Sequence, residues 1–243
     1  MTSYSALSYY YDELNDGCPY GEYAELISKV ITAGGSVLDC GCGTGNISLA
    51  LSKTGYAVTA FDISEDALSV ADEKANKAGE DIRFLKADMR RFYLGTFDAV
   101  VSTFDSVNYL LYDKDLSGFF DSAHASLKDG GTLVFDVNTR YRYERVYADN
   151  CYALESENAF LSWQNFYNET SKRCKFYLSL FTAKKNGLWE RSDEEHTQKY
   201  HDLKKLERLA ANAGFETVAV YGSTDLSPLT GVSEKAYFVM RKK

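Results

Sequence analysis

Apolar and polar positions follow two different rhythms along this chain. Between residues 36 and 138, short apolar runs alternate with segments whose apolar residues recur every three or four positions. Ser36-Val37-Leu38, Val58-Thr59-Ala60-Phe61, Ile82-Arg83-Phe84-Leu85, the run 97–104 and Thr132-Leu133-Val134-Phe135-Asp136-Val137 read as strands. Between them, the segment 46–52 reads as a helix. A second helix is capped by Ser64, carries Ala67, Val70, Ala71, Ala75 and Ala78 on one side and stops at Gly79. A third spans 113–128 with Leu116, Phe119, Phe120, Ala123 and Leu127 inward. Strands alternating with helices predict a parallel α/β sheet. From 139 to 200 the period falls to two. Segments 160–167, 173–182, 188–191 and 195–200 read as antiparallel strands, with Asn186-Gly187 as a two-residue hairpin turn. The helical rhythm then returns after an Asp202 cap, with Leu203, Leu206, Leu209, Ala210 and Ala213 inward and Gly214 as the stop; strands at 215–221 and 235–241 follow. Ahead of all this, 22–32 reads as a helix with Ala24, Ile27 and Ile31 inward.

The chemistry concentrates where the first strand ends. Asp39-Cys40-Gly41-Cys42-Gly43-Thr44-Gly45 puts glycines at alternate positions between a strand and a helix. Without Cβ atoms such a turn can be tight and a ligand can approach its backbone. The following helix leaves free N–H groups facing that ligand. A dinucleotide fingerprint would need its third glycine where Asn46 stands. Asp62 closes the second strand nineteen residues after Gly43, where an acceptor-only carboxylate suits the two hydroxyls of a ribose. Ala87-Asp88-Met89 follows the third strand.

The pattern Asp39-x-Gly41-x-Gly43-x-Gly45 resembles motif I of class I S-adenosylmethionine-dependent methyltransferases, and Asp62 and Ala87-Asp88-Met89 follow in that family's order. The resemblance implies a Rossmann-like, seven-stranded, mostly parallel sheet with helices on both faces, here carrying an antiparallel β insertion after strand five. It implies S-adenosylmethionine as cofactor. Asp39 would then hold the methionine ammonium group, and Gly41, Cys42 and Gly43 would pack on the methionyl and ribose part. Asp62 with Ile63 would take the ribose side, Asp88 the adenine amino group, and Met89 and Phe104 the pocket walls.

The Tyr11-Asp12-Glu13-Leu14 and Pro19-Tyr20 pieces, set among Tyr4, Tyr9, Tyr10 and Tyr23, resemble the N-terminal segment of small-molecule N-methyltransferases, the glycine and amino-sugar enzymes among them. There the segment closes over the cofactor, which implies a cofactor contact for Tyr20 and a catalytic or acceptor-side role for Tyr11. The insertion resembles the acceptor-covering sheet of the same relatives. The expected organisation is a helical cover at 1–35, a cofactor-binding core at 36–138 and 201–243, and a β cover at 139–200. Ligands of open α/β sheets bind beyond the carboxyl ends of the strands, so Asn108 and Tyr109 face the acceptor, as do Gln198 and Tyr200 of the insertion. His196, on the same face by period two, is the candidate general base. His124 reads as a structural residue of its helix. Residues 105–109 depart from the Asn/Asp-Pro-Pro-Tyr motif of enzymes that methylate nucleobase or glutamine amides, which argues against those acceptors.

Composition narrows the partners. Among 243 residues, 35 acidic against 27 basic side chains give a net charge of −8, which argues against nucleic-acid binding by bulk electrostatics. The basic residues of the insertion are matched by its acids. A small-molecule acceptor is therefore expected, modified at nitrogen or oxygen. An RNA (tRNA or rRNA) methyltransferase, or a cofactor-binding factor in RNA or ribosome assembly, stays open, and an NAD-linked oxidoreductase is disfavoured by the failed third glycine. The five cysteines are scattered, and Cys40 and Cys42 lack a second pair to complete a zinc site, so reduced structural thiols and no metal are expected. No apolar run approaches a membrane span and the N-terminal Asp12, Glu13 and Asp16 do not suit a signal peptide, so a cytoplasmic monomer or homodimer is expected.

Overall fold

The computed structural model describes residues 7–243, so Tyr4 and the start of the expected cover lie outside the described residues. The helices are α1 (Leu7–Leu14), α2 (Tyr20–Val30), α3 (Asn46–Lys53), α4 (Glu65–Ala78), α5 (Asp113–Ala125) and α6 (Leu203–Asn212). The strands run β1 (Ser36–Cys40), β2 (Ala57–Asp62), β3 (Arg83–Lys86), β4 (Phe97–Ser102), β5 (Leu127–Asn138), β6 (Cys151–Glu155), β7 (Ala159–Asn168), β8 (Arg173–Ala183), β9 (Trp189–Lys199), β10 (Phe215–Tyr221) and β11 (Lys235–Lys242). One sheet has seven strands in the order β10-β11-β5-β4-β1-β2-β3. Its first five strands in sequence pair in parallel, and β11 joins both β5 and β10 antiparallel.

Period-two alternation divides the parallel strands between two cores. Leu38, Val100 and Leu133 meet Phe119, Phe120, Leu206 and Ala210 of α5 and α6. Their neighbours Val37, Val101 and Val134 meet Leu26, Ile27, Ile47 and Leu51 of α2 and α3 on the opposite face. A strand buried on both sides must be apolar throughout, which is why these runs were continuous in the sequence. The local stops work as read: Ser64 Oγ accepts the Ala67 N–H at 3.2 Å, Gly79 adopts φ 72°, and Asp202 accepts the Lys205 N–H at 3.1 Å. His124 packs edge-on against Phe215, at 5.4 Å between ring centres, and serves the core.

The second sheet, β6-β7-β8-β9, is antiparallel and stands over the carboxyl ends of the first. Two expectations are corrected here, and one strand is added. β9 is one strand and not two; the polar run Ser192-Asp193-Glu194 hides its alternation, yet an edge strand tolerates it, and Ser179 donates to Asp193 across the ladder at 2.7 Å. The β8–β9 connection is a five-residue loop closed by Lys184 N–H to Leu188 carbonyl at 2.8 Å, with Gly187 at φ 77°, and not a two-residue turn. β6 went unread because none of its side chains is fully buried, which leaves no apolar alternation. A third core joins this sheet to α1 and to a π-helical turn at Arg142–Tyr147, with Leu7, Leu14, Tyr143, Leu161 and Phe176 at its centre. Among the described residues no helix is long and apolar enough to cross a membrane.

Candidate functional site

Two cavities open at the carboxyl ends of the parallel strands, and Tyr11, Phe104 and Tyr109 wall both. The first, of about 380 Å³, is built on the glycine turn. The three glycines have different tasks. A Cβ on Gly45 would lie 2.8 Å from the Ala71 Cβ, so this position lets α3 pack against α4. A Cβ on Gly41 would press on Met89 Sδ and Ser106. Gly43, at φ 54°, would meet nothing within 4 Å; it is bare backbone facing open space in the cavity wall.

Asp62 stands beside it. Its Oδ2 accepts the Gly43 N–H at 2.8 Å and its Oδ1 the Ser64 N–H at 2.9 Å. Each oxygen therefore keeps a lone pair, and the carboxylate is held rigidly at the cavity edge. Burial raises its pKa, and the two N–H groups work against that rise. Ile63 follows, 58% exposed on the rim; an apolar side chain left in water beside a cavity suits a flat ring laid over it. Asp88 and Met89 line the same cavity, with the Asp88 carboxylate gripped by its neighbour Arg90, Nε at 2.9 Å. That grip is what lowers the Asp88 pKa. Cys42, Tyr20 and Phe104 complete the wall, the last two tilted together at 5.1 Å. A ribose acceptor, a glycine cradle and an apolar slot next to a carboxylate form a donor set that fits S-adenosylmethionine.

Asp39 lies deeper than expected. It is 1% exposed, lines neither cavity and lies beneath the turn, where its Oδ2 accepts from Ser48 Oγ at 2.5 Å. Its Oδ2 ties α3 to β1, and its Oδ1 is buried without a hydrogen-bond partner among the described residues. Burial lifts its pKa to about 7, with the Ser48 hydrogen bond working against the rise.

The cover is fastened to this turn. Asp12 of α1 accepts from Thr44 Oγ1 at 2.8 Å and Asn46 Nδ2 at 2.7 Å, and pairs with Lys74 at 2.5 Å. On the other side, the Leu7 N–H meets Glu194 of β9 at 3.3 Å. One eight-residue helix thus bridges both sheets.

The second cavity, of about 350 Å³, lies between α1, α2, the end of β4 and the antiparallel sheet. Phe104 and Asp105 sit consecutively in the left-handed region, at φ 53° and 55°, a costly conformation for non-glycine residues. This kink stacks Phe104 on Tyr23 at 4.3 Å and turns Asp105 into the second cavity. Asp105 there meets Lys235 at 2.6 Å and Gln198 Nε2 at 2.5 Å, while Lys235 also holds Asp136 at 2.6 Å. Burial raises Asp136, whereas the Lys235 and Arg142 charges outweigh burial at Asp105 and keep its pKa low. Burial also works against the Lys235 ammonium, yet the two carboxylates hold its pKa well above normal.

Of the acceptor-side residues expected from sequence, Tyr109, His196 and Gln198 line this cavity. His196 is 3% exposed, with Nε2 3.1 Å from Glu194 and its ring edge-on to Tyr109 at 6.1 Å. Two expectations fail. Asn108 is fully buried and lines neither cavity, because its amide donates to the Lys199 carbonyl at 2.8 Å and accepts the Asn138 N–H at 2.9 Å. Tyr200 falls just past β9 and lines neither cavity; Lys172 lies 5.5 Å over its ring. Burial pushes the Tyr11 phenol well above its ordinary value, which disfavours its ionised form. Sequence reading passed over Lys235, Arg142, Trp163 and Asp136. A lysine at the start of a strand and an arginine among mixed charges carry no local mark of burial. Among the described residues no group of three His, Cys, Asp or Glu side chains could hold a metal, and all five cysteines are free.

A methyltransferase-domain family model matches residues 37–131. The Bacillus subtilis (strain 168) protein YqeM, provisionally named a methyltransferase, is 34% identical over 98% of this chain and 97% of its own length. The structure is similar to an S-adenosylmethionine-dependent methyltransferase from Clostridium acetobutylicum ATCC 824, with TM-score 0.87 at 22% identity over 99% of both chains. It is also similar to the sugar N-methyltransferase KedS8 from Streptoalloteichus sp ATCC 53650, with TM-score 0.76 at 18% identity over 97% of this chain and 91% of that one.

Proposed function

We propose, for a chain that belongs to the S-adenosylmethionine-dependent methyltransferases and takes S-adenosylmethionine as its cofactor, a small molecule as methyl acceptor, modified at a nitrogen or an oxygen. The observation that carries this reading is the second cavity. It is aromatic-walled and about 350 Å³, a size and character suited to a metabolite. That KedS8, of the same overall fold, is a sugar N-methyltransferase agrees with it.

Asp62 would hold the ribose hydroxyls, Gly41, Cys42 and Gly43 the sugar and methionyl backbone, Asp88 and Met89 the adenine, and Ile63, Tyr20 and Phe104 the flanking walls. When bound, the cofactor supplies a methyl group on a positive sulfonium, ready for in-line displacement. The chain's part is to orient and to keep the site dry. Tyr11, Phe104 and Tyr109, shared by the two cavities, mark where the reactants meet. Residues 1–35 and 139–200 act as the cover that closes the acceptor side. His196, in contact with Glu194, would take a proton from an acceptor that arrives protonated.

The test is labelled methyl transfer to a cell extract split by ultrafiltration. Label is expected in the low-mass fraction and should resist nuclease. Nuclease-sensitive label, with affinity falling steeply as salt rises, would put an RNA acceptor in its place.

A further inference from the structure

The second cavity contains two hydrogen-bond donors that the protein does not answer. The Nε–H of Arg142 and the indole N–H of Trp163 are both buried without an acceptor among the described residues, and both residues line this cavity. Its other strongly polar groups are spoken for. Asp105 has Lys235 and Gln198, and Gln198 Oε1 accepts from Tyr143 at 2.9 Å and Asn138 at 3.2 Å. Natural interiors rarely leave a buried donor unmet, and two in one cavity point to an acceptor that arrives with the ligand.

The two donors belong to one aromatic stack. The Arg142 guanidinium carbon lies 4.9 Å from the Tyr147 ring centre, Tyr147 lies 6.0 Å from Trp163, and Trp163 lies edge-on to Phe176 at 5.7 Å. Arg142 cannot swing freely, because its Nη1 donates to Glu234 at 2.7 Å; Glu234 is half-exposed and holds the guanidinium from the solvent side. Tyr147 also hydrogen-bonds the guanidinium, which leaves the Nε–H as its unanswered donor, and a charged N–H of this kind suits a carboxylate oxygen. Nearby, Asp105 and Asp136 share Lys235, and the Arg142 charge also lowers the Asp105 pKa.

Resting on the small-molecule reading above, we infer that the methyl acceptor carries a carboxylate, and that Arg142, assisted by Trp163, is the residue that selects for it. The molecule would seat its carboxylate on Arg142 and its apolar body against Tyr147, Trp163 and Phe176, and present its nucleophile at the wall shared with the cofactor cavity.

The experiment takes the methyl-accepting low-mass fraction of a cell extract, blocks its carboxyl groups with carbodiimide and methylamine, and repeats the labelling with the intact protein. Acceptance should be lost. Arg142→Gln should raise KM for the untreated fraction by ~10-fold or more with kcat changed far less, and Arg142→Lys should recover part of that. Trp163→Phe, which keeps the aromatic stack, should raise KM by roughly threefold. Low-mass acceptance that survives blocking, or an unchanged KM in folded Arg142→Gln and Trp163→Phe, would overturn the carboxylate while leaving the small-molecule reading in place. Label found only in macromolecules would remove both.

Discussion

The two cavities share a wall but are made in different ways. In the first, polar groups are answered close by in the chain: Asp62 is held by the Ser64 and Gly43 backbone N–H groups, two and nineteen residues away. In the second, they are answered from afar: Asp105 by Gln198 and Lys235 at separations of 93 and 130, and Asp136 by Lys235 at 99. The floor of the first cavity is made by strand–turn–helix units, with Tyr11, Tyr20 and Tyr109 added as walls. The second exists only once β11, the π-helical turn and the antiparallel sheet have converged. The cofactor side can therefore remain constant in a family while the acceptor side varies.

The sharpest way to break this contrast is at Lys235. Its ammonium stands between two buried carboxylates, so Lys235→Met leaves Asp105 and Asp136 facing each other unpaired. The variant should lose about 3–5 kcal/mol of stability in urea unfolding, and adding Asp136→Asn should restore part. A loss below about 1 kcal/mol would show that the cluster does not depend on its cation.

Asp39 tests the pH behaviour of the first cavity's foundation. Its folded pKa of about 7 is far above the ordinary 3.8, so the folded protein keeps a proton that the unfolded chain releases. The stability contributed by that group is complete below the unfolded value and is lost as pH rises through about 7. Between about pH 5 and pH 8 the wild type should lose about 2–3 kcal/mol from this group. Asp39→Asn should remove that decline, so that the two urea midpoints diverge towards alkaline pH. Parallel pH profiles would show that the Asp39 carboxyl does not titrate in this window.

Asp62 separates binding from folding. Asp62→Ala should weaken S-adenosylhomocysteine binding by roughly 1.5–3 kcal/mol in calorimetry, while urea unfolding changes less than it does for Lys235→Met. Unchanged affinity in the folded variant would remove the ribose assignment. The smallest effect is expected at the clasp between the cavities. The Asp12–Lys74 pair is partly exposed, at 33% and 25% of the side chains, so Asp12→Ala should cost only about 0.2–1 kcal/mol of global stability. It should nevertheless free α1, seen as faster chymotryptic cleavage at Tyr9, Tyr10 and Tyr11. Wild-type cleavage rates would mean that the Leu7–Glu194 contact and apolar packing hold the helix alone.

The legible parts of the molecule follow the same division. Ser64, Gly79 and Asp202 announced helix ends because capping is settled within three or four residues. Asp62, Gly43, Asp88 and Met89 could be placed at one cavity because strand ends and glycine turns put them there. The depth of Asn108 and Asp39 was not legible because a polar side chain at a strand end looks the same whether it faces a ligand or a neighbouring backbone. Their burial and partners, Lys199 and Asn138 for one and Ser48 for the other, come from other segments of the chain.

By itself, then, the amino-acid sequence determined the parallel sheet, its two apolar cores and the glycine turn with the Asp62 carboxylate beside it, and, through its resemblance to a known family, the class of cofactor. The structural features rest on periodicity or on contacts local to the βα units. Only the tertiary structure decided that Asp105, Arg142, Trp163, His196 and Lys235 would line one cavity. Those five residues come from the end of β4, the turn after β5, β7, β9 and the start of β11, and no local pattern encodes which of their charges will be paired and which donors left open. That outcome is set by desolvation, which depends on what covers a group after folding, and the cover here is a different sheet from the one that binds the cofactor.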